Sequence, residues 1–151
     1  MGVQIGQLFV RRSVFINALP DRIWQEFGDL ARVRSWLGIG QTLHAYSPEV
    51  GVEISLSVEM DSGPKFFGGK VVLVDQEKEL TFENQWQAPS NWVVPTFWTF
   101  RLTQIYAGTQ VEFFHHGFER LGEAAADNLQ GYEQGWTTNH LDALRSIIEA
   151  N

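Results

Sequence analysis

The chain has 151 residues, 44% of them hydrophobic and 19% charged, with no cysteine. This is the composition of one folded domain with a sizeable core, and it excludes disorder, disulfides and thiolate chemistry. A formal net charge of -7 with no basic run argues against nucleic acid and anionic membrane as partners.

The opening residues Met1 to Gly6 lack the basic start and apolar core of a signal peptide. No apolar run approaches the roughly 20 residues that span a bilayer. A cytoplasmic protein without membrane insertion is expected. The first predicted strand is Leu8 to Asn17, with Val10, Val14 and Ile16 on one face. Pro20 and Asp21 then suit a helix start. Ile23, Trp24, Phe27 and Leu30 recur at helical spacing, but Gly28-Asp29 divides the segment into two short helices. The second runs from about Leu30 to Leu37 and ends at Gly38 and Gly40.

From there the period is two. Strands are expected at Gln41 to Tyr46, at Val52 to Met60, at Phe66 to Val74 with a candidate bulge at Gly68-Gly69, and at Leu80 to Trp86. A loop holding Pro89, Trp92 and Pro95 leads to a strand with Trp98, Phe100 and Leu102 on one face. Ala107-Gly108 turns the chain into a strand from Thr109 to Phe118. One long amphipathic helix then carries Leu129, Tyr132, Trp136, His140, Leu144 and Ile147 on one face. A single domain over 1–151 follows, of the α+β class. It has a curved antiparallel sheet of about six or seven strands wrapped around a long C-terminal helix, with two short helices after the first strand.

The run Val14 to Trp24 at the entry to the first helix and Trp36-Leu37-Gly38 at the end of the second carry a family resemblance. So do Thr109 through His115, Gly117-Phe118, Gly135-Trp136 and Leu141 to Ile148. In this order the chain resembles the SRPBCC superfamily, also called START-like or Bet v-like, with its helix-grip fold. Within it, the chain looks most like the activator of heat-shock protein 90 ATPase homologue family. The resemblance covers nearly the whole chain. It implies an apolar pocket for a lipid, polyketide or other hydrophobic small molecule. It also admits a cyclase, hydratase or hydrolase, or a chaperone regulator linked to stress response.

Strand alternation aims His115 inward with Val111 and Phe113, opposite Glu112 and His116. There it could contact a ligand, act as a general base, or simply be a satisfied core histidine. Tyr132 and His140 offer polar tips on the last helix, and Trp136 lies between them. Gly131 and Gly135 leave one helical stripe bare. Trp86, Trp98, Phe100 and Phe113 are expected to line the sheet side, with Phe66, Phe67 and Trp92 near the mouth. Arg12 could reach the mouth and meet a ligand carboxylate, or snorkel to solvent. Adjacent His115 and His116 point to opposite faces, so no metal is expected; no cofactor is implied either. No inward carboxylate pair, nucleophile elbow or phosphate loop is present. The leading expectation is a hydrophobic-ligand binder, monomer or homodimer. A cofactor-independent enzyme and a chaperone-regulating module are the alternatives.

Overall fold

The computed structural model describes residues 2–150. The strands are β1 (Phe9–Ile16), β2 (Thr42–Ala45), β3 (Glu53–Met60), β4 (Gly63–Asp75), β5 (Glu79–Trp86), β6 (Thr96–Ile105) and β7 (Gly108–His116). They form one seven-stranded sheet in the order β1-β7-β6-β5-β4-β3-β2, antiparallel throughout. The chain therefore meanders from β2 to β7, and only β1 joins out of sequence, beside β7.

Between β1 and β2 lie α1 (Pro20–Trp24), a tight helical turn (Gln25–Phe27) and α2 (Leu30–Leu37). Asp29 caps α2 by accepting from the Arg32 amide at 2.8 Å. Two buried polar bonds lock this pair to the body. The Trp36 indole donates to Glu26 O at 3.1 Å, and the Tyr46 hydroxyl donates to Phe27 O at 2.6 Å. The Glu26 carboxylate is itself buried but bridged by Arg22 at 2.7 Å and Arg32 at 3.7 Å.

The C-terminal helical segment lies across the concave face, as the amphipathic pattern requires. It is in two pieces, α3 (Ala125–Gly135) and α4 (Asn139–Glu149). Trp136 between them has extended backbone, φ -73° and ψ 131°. The apolar phase continues across this break, which is why the sequence reads as one helix. Leu141, Leu144 and Ile148 of α4 are buried, whereas Ala125 is the only buried residue of α3. The first piece therefore stands partly off the sheet, and the second is fully docked.

One further expectation is corrected. Gly68 and Gly69 pair regularly with Ser55 and Ile54; the register shift falls later, between Val71 and Leu73. Their role is close strand approach: a Cβ on Gly68 would lie 2.2 Å from Ile54 O. The convex face is also not uniformly wet. Thr81, Thr99 and His116 form a buried polar ladder across β5, β6 and β7, with Thr81 Oγ1 to Thr99 Oγ1 and Thr99 Oγ1 to His116 Nε2 both at 2.7 Å. The N-terminal segment is tied over this face. The Val3 amide donates to Glu79 at 3.0 Å, and Val3 O accepts from Arg101 at 2.6 Å.

Candidate functional site

Hydrophobic side chains from both layers mesh in the middle of the molecule. Trp136 sits edge-on to Trp98 at 4.8 Å between ring centroids and tilted against Phe113 at 4.6 Å. Phe100 is packed among Phe27, Trp36 and Phe113 at 5.1 to 5.6 Å. Phe67 is buried against Trp86 at 4.4 Å. Phe66 points the other way, toward His44 on the convex side.

His115 is fully buried within this seam. Its Nδ1 accepts from the Trp136 indole at 3.1 Å. An indole nitrogen only donates, so the neutral ring carries its proton on Nε2, which donates to Thr96 Oγ1 at 2.8 Å. Thr96 Oγ1 passes its own proton to Asn84 O at 3.2 Å. Both ring nitrogens are thus committed to the protein. Burial, with His116 adding a smaller effect, holds the His115 pKa well below the usual imidazole value. Two buried polar atoms beside this chain, Asn84 Oδ1 and Trp98 Nε1, have no hydrogen-bond partner among the described residues.

The open space lies above the seam, at the mouth. It is a cleft of about 830 Å³. Trp86 and Trp92 wall it on the sheet side, Ile39 and Gln41 come from the loop before β2, and Met60 and Lys65 from the β3–β4 hairpin. The helix side is the stripe Asp127, Asn128, Gly131, Tyr132 and Gly135, continued by Trp136, Asn139 and His140. The two glycines make the room: a Cβ on either would meet nothing within 4 Å.

Of the residues expected to contact a ligand, the fold therefore brings Trp86, Trp92, Tyr132, Trp136 and His140 together around the cleft. His115, Trp98, Phe100, Phe113 and Phe67 form the packed floor beneath it and do not line it. Arg12 neither meets the cleft nor snorkels. It donates to Glu133 O at 2.8 Å, to Trp136 O at 3.0 and 3.2 Å, and to the Glu133 carboxylate at 2.7 Å, so it caps the end of α3. Asp127, Asn128, Gln41, Lys65 and Asn139 were not singled out from the sequence. The spacing of Asp127, Gly131 and Gly135, four apart along one helix face, is the signal that marks the stripe.

The two polar tips have defined states. The Tyr132 hydroxyl accepts from the Trp86 indole at 2.6 Å. Burial raises its pKa, and hydrogen bonds from Trp86 and Asn84 partly oppose that rise. His140 Nδ1 faces Trp36 O at 3.3 Å. Burial lowers the His140 pKa, with the bond to the Trp36 carbonyl acting against it. Among the described residues, no group of three or more His, Cys, Asp or Glu side chains could hold a metal ion. No helix there is long and apolar enough to cross a membrane.

The family model for activator of Hsp90 ATPase homolog 1-like protein matches residues 17–149. The chain belongs to that family. No curated protein matches. Solved structures share the helix-grip fold at low identity. A Mesorhizobium loti protein is 20% identical with a TM-score of 0.69, over 95% of this chain and 98% of that one. A Chromobacterium violaceum protein is 15% identical with a TM-score of 0.71, over 95% and 99%. The Aha1 dimer from Colwellia psychrerythraea is 18% identical with a TM-score of 0.62, over 95% and 97%.

Proposed function

We propose that this protein binds a hydrophobic, ring-bearing small molecule in the mouth cleft. The observation that carries this reading is the bare stripe at Gly131 and Gly135 facing Trp86 and Trp92 across about 830 Å³. Gly131 lies inside α3, where glycine costs about 1 kcal/mol relative to Ala, and Gly135, the last residue of α3, has no left-handed backbone that would require glycine. Here the missing side chains coincide with open space walled by aromatic rings. Burial of roughly 200 Å² of apolar ligand surface would contribute about 5 kcal/mol before the costs of ordering.

Binding is favoured over turnover. His115, the inward base candidate, would have to lose the Trp136 bond to Nδ1 before it could take a proton from a ligand. The test uses the glycines. Gly135→Leu fills the cleft and should abolish quenching of Trp emission by a hydrophobic probe such as an anilinonaphthalene dye. The same change should leave the urea midpoint unaltered or raised, because Gly135 closes α3 without a left-handed backbone and a Cβ there meets nothing within 4 Å. Unchanged probe affinity in the Leu variant would remove this reading. The solid seam beneath the cleft is also what a protein-interaction module needs, as the family description suggests. Pull-down of heat-shock protein 90, with its ATPase rate measured in parallel, separates that second reading from the first.

A further inference from the structure

We infer that the cleft reads its ligand by a fixed pair of hydrogen-bonding groups: Tyr132 as a donor and His140 Nε2 as an acceptor, with Trp136 between them in the chain. The ligand class is then an aromatic or alicyclic body with a carbonyl or similar acceptor at one position and a hydroxyl or N–H donor at another. This rests on the cleft being a ligand site and goes beyond it by assigning the polarity of the match.

The assignment follows from what each group already touches. The Trp86 indole can only donate, so the Tyr132 oxygen is the acceptor of that 2.6 Å bond. The Asn84 side chain also bonds to the Tyr132 oxygen and fills its remaining acceptor capacity, and among the described residues no hydrogen bond takes the phenol proton. A ligand hydroxyl could give Tyr132 nothing it lacks, whereas a ligand carbonyl would take the idle proton. His140 is the converse. The Trp36 carbonyl can only accept, so Nδ1 must carry the ring proton. In the neutral ring, Nε2 then presents a lone pair and has no partner among the described residues. Both residues line the cleft, and Trp136, whose ring lies 5.5 Å from that of His140, stands between them in the chain. An apolar ring stacked over Trp136 would hold its two polar substituents toward the two tips.

A matched series tests this: naphthalene, a naphthyl methyl ketone, a naphthol, and a hydroxynaphthyl methyl ketone with its two groups on opposite rings. Dissociation constants are read by quenching of Trp emission with the full-length protein. A net hydrogen bond is worth roughly two- to tenfold in affinity. The ketone should therefore bind about that much tighter than naphthalene, and the hydroxyketone tighter again. Tyr132→Phe should erase the ketone's advantage and leave naphthalene within about twofold. His140→Phe should erase the hydroxyl's advantage and spare the ketone's. Circular dichroism of both variants confirms that they are folded. If all four probes bind the wild type equally, or the ketone keeps its advantage in Tyr132→Phe, the polarity assignment is wrong while the cleft remains a ligand site. If no probe binds and Gly135→Leu changes nothing, both readings fall together.

Discussion

At the scale of single residues, the histidines make the most direct prediction. Burial and the nearby Arg101 cation hold His116 down from 6.5 to about 4, and His115 lies well below 6.5. Both rings are neutral in the folded protein and charge readily once unfolded. A folded-state pKa below the unfolded one means that the unfolded chain binds the extra proton as pH falls. Stability is therefore fully present above about pH 6.5 and is lost on acidification, down to about 4 for His116. Between about pH 6.5 and 5, above the usual carboxylate range, each such histidine contributes up to about 1.4 kcal/mol per pH unit. Urea unfolding across that window should show the decline. His116→Gln keeps a hydrogen-bonding tip near Thr99 but cannot charge, so it should flatten the slope by close to one proton. A pH-independent wild-type midpoint over this range would contradict the burial argument.

At the scale of elements, α3 depends on a residue distant in sequence. Its last carbonyls have no helical partner, and Arg12 of β1 supplies both the hydrogen bonds and the favourable charge. Arg12→Met keeps the aliphatic stem and removes the fork. It should cost roughly 1 to 3 kcal/mol and raise amide exchange in the last turn of α3. Arg12→Lys should recover only part, since one ammonium cannot reach the Glu133 and Trp136 carbonyls together. An unchanged midpoint in the Met variant would show the cap to be energetically idle. Most elements were legible from periodicity. The alternating run Val52 to Met60 is β3 from Glu53, and the Gly28-Asp29 break does separate α1 from α2. The interruption at Trp136 was not legible, because positions 132, 136 and 140 keep helical spacing through it. Arg12 was misread because strand parity gives a face and not a partner. The cleft was half legible: its aromatic walls and glycines stand out in the sequence. Gln41, Asp127 and Asn139 do not, since an apolar period is silent about polar linings.

At the scale of the whole molecule, Trp136 joins the packed interior to the open mouth. One side of its ring meets Trp98 and Phe113, its nitrogen holds the His115 tautomer, and it also lines the cleft. No void runs from helix to sheet as far as His115 among the described residues, because this ring fills that gap. Trp136→Ala should thus do two things at once. It removes a large, partly buried ring, a change that in a core costs about 3 to 5 kcal/mol. It also leaves His115 Nδ1 unpaired and joins the cleft to new space above Trp98. The variant should unfold at lower urea, yet bind bulkier apolar probes than the wild type when kept cold and assayed below its midpoint. Trp136→Phe separates the two contributions. It retains most of the packing but loses the indole donor, so its cost should come mainly from the stranded His115 nitrogen, roughly 1 to 3 kcal/mol. If the Ala variant gains no capacity for larger probes, the interior collapses around the missing ring, and the cleft is bounded by the backbone of α3 and not by Trp136.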